Sequence, residues 1–401
     1  MPVDKSKFPI VLLCIVATFF SGCATGPKRM VSDWREYNES TVEVGNQELL
    51  LNLVRLRYDE YPGLLRVTNI TAQRNWTYSG TLAANVPEGG PDALAAGLTG
   101  LRSERPTVSF NPGGRELIAA ALKPVSLDVL YLAAYMGWPA SITWPLMIKS
   151  INDVNIAPSH HGQMPGTAEM TNEFLMIALS VRSLQDQRLL EVGRIEKLVP
   201  INEGLDPQLI TASDRIQALN SGYTFVDSSN GDSLTLSKTK QLTVLRFAAE
   251  AIGTPEHANL VQMLGIDPQS KTFELEPAYE GYLKEEDLPR QDIEIGMRSL
   301  FEMLFLLSRG VQVPQCDLRC GVAPALADYP ISDSMVGGFV VKCCDKRPAC
   351  ASVAVQYRDT WFYIDSRDQD SKAKFFLLKL IFDTQTEAAI DDSAPLLTLP
   401  L

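Results

Sequence analysis

The chain has 401 residues, a formal net charge of −12, 45% hydrophobic residues and 21% charged residues. This composition is typical of a globular protein and excludes a disordered chain. Nucleic-acid binding depends on basic side chains that neutralise phosphates, so an acidic chain without basic blocks is not expected to bind nucleic acid. The length predicts two domains or one large composite domain.

The first residues have the pattern of an export signal. Lys5 and Lys7 precede an apolar run from Phe8 to Phe20, and small residues follow before Cys23. The run is too short to cross a bilayer as a helix, which needs about 20 apolar residues. The segment therefore predicts export of the protein.

The residues Phe20-Ser21-Gly22-Cys23 resemble the lipobox of bacterial lipoproteins. The resemblance implies cleavage after Gly22 and a lipid on Cys23, which would anchor the protein to a membrane. Residues 1–22 are then the signal peptide and residues 23–41 a lipidated tether. Ala24 stands where lipoproteins retained in the inner membrane carry Asp, so the resemblance implies a cell outer membrane location, facing the periplasm.

A helix is predicted where Leu49, Leu50, Leu53, Val54 and Leu56 recur at helical spacing before Pro62-Gly63. The stretch from Asn46 to Tyr58 resembles the opening signature of an uncharacterised family of Gram-negative envelope lipoproteins. Three further stretches match the same family: Arg298-Ser299-Leu300 with Val313-Pro314, Tyr357 to Lys372, and Leu397 to Pro400. The resemblance spans the mature chain and implies one architecture, but no activity.

The most informative pattern after this helix is an alternation of apolar and polar residues from Ile70 to Val86. Such alternation predicts an amphipathic strand of unusual length. A Gly-, Pro- and Ala-rich stretch follows from Pro87 to Gly100, and Pro106–Asn111 alternates again. We therefore expect a long β-ribbon within residues 67–111. Its apolar face is expected to pack on helices within residues 114–151; the alternative is insertion into a membrane.

The remaining pattern predicts an α+β fold of mixed helices and antiparallel strands. Residues 42–190 would form a helical domain that includes the ribbon, and residues 191–401 an α+β domain. The helices are expected at Arg115–Lys123, Leu127–Met136 with Ser126 as cap, from Trp138 through Ile151, Asn172–Leu184 with Thr171 as cap, Asp206–Asn220, between Thr254 as cap and Gly265, Gly296–Arg309 and Ser371–Thr384. Strands are expected at Tyr223–Asp227 and Ser233–Ser237, which would form a hairpin, and at Phe273–Glu276, Gly338–Cys344, Cys350–Tyr357, Thr360–Ile364 and Leu396–Leu399.

The C-terminal domain contains a cluster of cysteines: Cys316, Cys320, Cys343, Cys344 and Cys350. Export would place them in an oxidising compartment, which favours disulfides over a zinc site. The connectivity stays open. If the segments flanking Asp345–Ala349 paired as a hairpin, Cys343 or Cys344 would approach Cys350, and Cys344 is preferred.

Few residues are candidates for metal binding or catalysis. His160-His161 lie in a Gly- and Pro-rich stretch and are expected to be solvated, and His257 is expected at the surface. Asp365, Asp368 and Asp370 have oxygen ligands suited to Ca²⁺, but capping of the following helix by Asp368 or Asp370 is preferred, with Arg367 neutralising the charge. No metal or cofactor is predicted.

The common catalytic motifs are missing from the sequence, including G-x-S-x-G, H-E-x-x-H and the phosphate-binding loops. The sequence therefore predicts an anchored lipoprotein with a structural or protein-interaction role, whose partner is an envelope protein or another copy of itself. One alternative is an oligomeric pore or assembly component that inserts the 67–111 hairpin into the membrane. Another is an envelope hydrolase, which would need polar groups that converge in a pocket.

Overall fold

The structure, a computed structural model, shows the α+β fold expected from the sequence. It describes residues 27–63, 65–85, 93–112, 115–152, 154–155, 168–227, 233–278, 292–325, 338–387 and 397–400. Cys23 and His160-His161 lie outside these residues. None of the helices within them is long and apolar enough to cross a membrane.

The helices are α1 (Pro27–Arg57), α2 (Arg115–Leu122), α3 (Leu127–Tyr135), α4 (Ala140–Met147), α5 (Ala168–Asp186), α6 (Ala212–Asn220), α7 (Pro255–Leu264), α8 (Leu300–Ser308), α9 (Gln315–Arg319) and α10 (Gln369–Glu387). The strands are β1 (Leu65–Asn85), β2 (Ala93–Pro112), β3 (Ile148–Ile151), β4 (Val154–Asn155), β5 (Leu190–Leu205), β6 (Tyr223–Asp227), β7 (Leu234–Phe247), β8 (Thr272–Pro277), β9 (Asp292–Met297), β10 (Lys342–Cys344), β11 (Ala351–Tyr357), β12 (Thr360–Asp365) and β13 (Leu397–Pro400).

The chain divides into two compact units. The ribbon unit contains Met1–Leu51, Gly63–Gly114 and Asp392–Leu401, and the main unit contains Asn52–Pro62 and Arg115–Asp391. The domain boundary expected between residues 190 and 191 does not separate these units. The reason is that β5, which begins at Leu190, is an edge strand of the same large sheet that contains β3.

The first helix is much longer than expected, because it begins at Pro27 and includes the segment expected to be a tether. Proline is well suited to the first helical position, where its missing N–H is not needed. Polar side chains four residues apart also support the helix: Arg35 pairs with Glu39 at 3.2 Å, and Gln47 Nε2 donates to Glu43 at 3.0 Å. This support is independent of apolar periodicity, and so it was missed.

The ribbon unit confirms the long hairpin, with one correction. β1 pairs antiparallel with β2 from Leu65–Pro112 to Asn85–Ala93, and β13 adds a short third strand along β2. The second strand was expected only from Pro106, but it begins at Ala93. The many Gly and Ala residues from 93 to 100 hide the alternation of a strand, since they differ little in polarity.

The main unit is built on a sheet with the strand order β4-β3-β9-β8-β7-β5, and β6 also pairs with β7. Its neighbours are antiparallel except β8 and β9, which are parallel. Helix α5 packs on α4 and α7, and α8 contacts α2, α4 and α10. Large side chains with at most 2% exposure fill the core, among them Trp144, Phe174, Phe273, Phe339 and Phe362.

Several predicted boundaries in the main unit are wrong. Helix α4 ends at Met147, and the following residues form β3; likewise α8 begins at Leu300, and Gly296 belongs to β9. Gly296 faces Ser150 across the β3–β9 pair, where a Cβ on residue 296 would lie 2.1 Å from the Ser150 hydroxyl oxygen. A side chain at residue 296 would therefore collide with Ser150 on the neighbouring strand, a contact that helical periodicity in the sequence does not show.

Local capping signals were more dependable than periodicity. The Ser126 hydroxyl accepts from the backbone N–H of Asp128 at the start of α3, and Thr254 accepts from His257 at the start of α7. The β6–β7 hairpin also forms as expected. One cap was wrong: Thr171 lies inside α5, which begins at Ala168.

Candidate functional site

The first candidate surface among the described residues is the β-ribbon formed by β1 and β2. Its register comprises 20 facing residue pairs, with one irregularity between Val67 and Asn69. Ordinary strands have about 5–6 residues, so this pairing is several times longer than usual. A two-stranded ribbon of this length offers an extended surface for another molecule.

The two edges of the ribbon are unequal. β13 pairs with Thr107–Phe110 of β2, so the base of the ribbon has three strands. Within the described residues, neither the rest of the β2 edge nor any of the β1 edge has a pairing strand. Unpaired N–H and C=O groups on such edges are a ready template for pairing with another chain.

A second group of polar residues lies in the main unit, where residues after α1 meet a three-stranded sheet with the order β10-β12-β11. The Tyr58 hydroxyl donates to Asp317 Oδ2 at 2.6 Å, although the two residues are 259 positions apart. Burial raises the pKa of Tyr58, and the hydrogen bond to Asp317 raises it further. Tyr58 therefore stays protonated at neutral pH and acts as a hydrogen-bond donor.

Glu60 forms the other half of this group with two residues at the β11–β12 turn. It accepts from the Tyr357 hydroxyl and from Arg358 Nη2, the latter at 2.6 Å. The hydrogen bond from Tyr357 lowers the pKa of Glu60, and Arg358 adds to this effect. Arg358 also lies over the rings of Tyr58 and Tyr357, at 5.3 and 5.6 Å from their centroids.

These five residues, which we call the tyrosine clasp, are Tyr58, Glu60, Asp317, Tyr357 and Arg358. Burial raises the pKa of Tyr357 as well, and its bond to Glu60 adds to the increase. Both tyrosines are thus held in the neutral form, and each carboxylate already accepts a tyrosine hydrogen bond. The donors and acceptors of these residues form hydrogen bonds with one another, so the group has the geometry of a structural contact between chain segments.

Sequence reasoning did not identify the clasp. Its members come from three separate segments of the chain, and no local spacing connects them. The related sequence signal is the two-residue gap at Arg358 and Asp359 between the strands expected at Cys350–Tyr357 and Thr360–Ile364. In the structure this gap is a turn, where φ is +46° and +64°. That turn joins strands whose pairing places Tyr357 opposite Thr360.

The five cysteines are free in the structure. The hairpin on which a Cys344–Cys350 bond was made conditional does not form, because β12 lies between β10 and β11 and pairs with both. Cys343 faces Phe362 and Cys344 faces Trp361 on β12. This strand order gives no reason to favour a Cys344–Cys350 bond, and a disulfide among these cysteines stays a prediction. Burial raises the pKa of the Cys343 thiol, which makes it a weaker nucleophile at neutral pH.

The aspartates before α10 behave as the capping interpretation predicted. Asp368 Oδ1 accepts from the backbone N–H of Ser371 at 3.0 Å, and Asp368 Oδ2 accepts from the Ser371 hydroxyl at 2.6 Å. Asp365 is buried and accepts from Arg367 and Lys342. These bonds lower the pKa of Asp365 far below its usual range, with the Arg367 side chain as the largest cause. Within the described residues, no group of three or more potential ligands is arranged for a metal.

The expectation for His257 was wrong. Its side chain is 2% exposed, and its ring meets Phe247 edge-on at 4.8 Å. Burial lowers the pKa of His257, which keeps the ring neutral. His257 lies on the buried face of α7 together with Leu260, Val261 and Leu264, so it belongs to the core.

Comparison with known proteins identified no relative of this chain. No family model, no curated protein and no solved structure matches the chain.

Proposed function

We propose that this protein is a lipoprotein anchored in the cell outer membrane, facing the periplasm, with a structural or protein-interaction role. The export signal and the lipobox-like sequence ending at Cys23 support the anchor. The interaction role is supported by the ribbon. Within the described residues, its two long edges have no pairing strand along most of their length. The resemblance to Gram-negative envelope lipoproteins agrees with this proposal.

The geometry of the main unit gives less support to an envelope hydrolase. A hydrolase needs a nucleophile or activated water beside a base that can accept its proton. Among the described residues, the tyrosine clasp brings several polar side chains together, and its hydroxyls are bonded to its own carboxylates. An interaction role, unlike a hydrolase, depends only on the ribbon and requires no catalytic chemistry from the clasp.

The anchor can be tested by replacing the cysteine that would receive the lipid. Cells producing the unchanged chain, Cys23→Ser or Cys14→Ser would be labelled with radioactive palmitate and fractionated by density. We expect label and outer-membrane location for the unchanged chain and for Cys14→Ser, because Cys14 lies within the signal. Cys23→Ser should lose both. Label that persists in Cys23→Ser would contradict the proposal.

A second candidate function is favoured by the same ribbon. An oligomeric pore or assembly component would insert the 67–111 hairpin into the membrane, together with hairpins from other copies. The 20-pair register supports this candidate, because membrane-spanning strands need only about 9–11 residues. The particle size of the full chain in mild detergent separates the candidates: a ring-sized particle supports the pore, and a monomer contradicts it.

A further inference from the structure

The register of the ribbon aligns two stretches that contain no charged residue. One is Thr77–Asn85 on β1 and the other is Ala93–Leu101 on β2. The pairing places them opposite each other over nine consecutive pairs, from Thr77–Leu101 to Asn85–Ala93. We call these nine pairs the uncharged window.

Charged residues begin at once on the base side of the window. Trp76 faces Arg102, Arg74 faces Glu104, and Gln73 faces Arg105. Four charged residues thus lie within the four pairs that follow the window. The first charged residue toward the base is Arg102 on β2 and, two pairs further along, Arg74 on β1.

The pairing also gives the window two different faces, since facing residues in antiparallel strands share a face. One face holds the pairs Tyr78–Gly100, Gly80–Leu98, Leu82–Ala96 and Ala84–Leu94. The other face holds the pairs Thr77–Leu101, Ser79–Thr99, Thr81–Gly97, Ala83–Ala95 and Asn85–Ala93. Only the first face is apolar throughout, and the second contains small polar residues along most of its length.

The length of the window suits a bilayer. Nine residues at about 3.4 Å each extend about 30 Å, and a tilted membrane-spanning strand needs about 9–11 residues. Strands in membranes alternate apolar residues toward lipid with polar residues toward water. Backbone groups in hydrocarbon must all be hydrogen-bonded, so an isolated ribbon with two open edges would not be stable there.

We propose that the uncharged window lies in the hydrocarbon layer of a lipid bilayer, with its apolar face toward lipid and its edges paired with ribbons of further copies of this chain. The charged zone at Arg74, Arg102, Glu104 and Arg105 then lies at the level of the lipid headgroups. This proposal rests on the second candidate function and specifies its membrane-embedded residues. It competes with the expectation that the apolar face packs on the helices within residues 114–151.

The test uses tryptophan fluorescence in the full, lipidated chain. The parent variant is Trp76→Phe, to which one tryptophan is added by Leu82→Trp in the window, by Ile70→Trp outside it, or by Thr81→Trp on the polar face. Each protein is reconstituted into phosphatidylcholine vesicles with ordinary or brominated acyl chains. Subtraction of the parent emission isolates the added tryptophan, so the other tryptophans can stay in place.

We expect brominated lipid to remove most of the added emission of Leu82→Trp and little of that of Ile70→Trp or Thr81→Trp. Leu98→Trp, on β2 and on the same apolar face, replaces Leu82→Trp if that variant does not fold. Unquenched emission in the window variants would overturn the proposal and favour packing on protein. Quenching of Ile70→Trp as well would overturn the stated limits of the window.

The oligomeric part of the proposal has its own readout. The unchanged chain in detergent should form a particle of several copies, and hydrogen exchange should be slow at amides along both edges of the window. A monomer, or fast exchange at these edges, would contradict pairing between copies. Palmitate labelling at Cys23 tests the anchor separately. A negative result in the quenching or particle-size experiment would therefore not contradict the proposed lipid anchor.

Discussion

At the scale of single residues, the main unit is held together by polar contacts between distant segments. The tyrosine clasp joins the residues after α1 to α9 and to the β11–β12 turn, and Arg57 adds a bond to the carbonyl of Pro324 at 2.8 Å. Hydrogen bonds to charged groups contribute more than neutral ones when they are partly buried. The clasp and the buried Asp365 each give a direct prediction about stability.

Tyr58→Phe is expected to lower the free energy of unfolding by about 1.5–3 kcal/mol, the range for hydrogen bonds to charged groups. The reason is that the change removes the donor to Asp317 while preserving the buried ring. Denaturant unfolding followed by circular dichroism measures the effect. Tyr61→Phe is the matched control, since Tyr61 is 69% exposed. Equal stability of Tyr58→Phe and the unchanged protein would show that the bond is energetically unimportant.

Asp365→Asn is expected to lower the melting temperature at neutral pH, because the charged carboxylate accepts from Arg367 and Lys342. The folded-state pKa of Asp365 is lowered, so its stabilising effect is present above the unfolded pKa of about 4. It is lost as the pH falls through the folded pKa. The difference between the variant and the unchanged protein should therefore shrink in acid. Melting curves between neutral and acidic pH test this.

The control for this series is Asp345→Asn, at an exposed position near the end of β10. Its melting temperature should follow that of the unchanged protein at every pH. A difference for Asp365→Asn that stays constant down to acidic pH would contradict an ionic origin of the effect.

At the scale of elements, the end of α8 is fixed by backbone contacts with the segment before β10. The Val341 N–H donates to the carbonyl of Gly310 at 2.9 Å, and Gln312 N–H donates to the carbonyl of Val341 at 2.9 Å. A Cβ on residue 310 would lie 2.2 Å from the carbonyl oxygen of Phe339. The helix and the C-terminal segment can approach this closely only because residue 310 is glycine.

Gly310→Ala is expected to destabilise the protein by about 1–3 kcal/mol or more, since a backbone atom must move to admit the methyl group. Gly193→Ala is the control, because a Cβ there meets nothing within 4 Å. The two variants can be compared by thermal unfolding. A Gly310→Ala protein as stable as Gly193→Ala would mean that the contact between α8 and Phe339 adjusts without cost.

At the scale of the whole molecule, the chain forms two units. The main unit has an extensive buried core, and the ribbon unit contains the pairing of β1 with β2. The ends of the ribbon meet at its base, where Leu65 faces Pro112. A short linker can therefore replace the ribbon without separating the chain ends that it joins.

Replacing residues 65–112 by a short Gly-Ser linker is expected to leave the cooperative unfolding of the main unit nearly unchanged. The reason is that the core of this unit comes from residues 52–62 and 115–391. Differential scanning calorimetry of the shortened and full chains makes the comparison. Loss of the cooperative transition would show that the main unit needs the ribbon to fold. The same deletion should abolish any oligomer that forms through ribbon edges.

Patterns within short stretches were sufficient for much of the architecture. Alternation from Ile70 onward indicated the first ribbon strand, and single residues such as Ser126 and Asp368 indicated helix starts. These features depend on contacts between near neighbours, so the period of the side chains or one capping group predicts them. The same local evidence led to the α+β class, and the lipobox-like sequence before Cys23 led to the proposed anchor.

Other features arise only when distant segments meet. No local pattern shows that β12 lies between β10 and β11, that Tyr58 reaches Asp317, or that His257 is buried against Phe247. The register of the ribbon is the clearest case, because the uncharged stretches could have been offset along the two strands. Pairing between separate strands brings them to one level, and side-chain periodicity in either strand alone contains no information about that alignment.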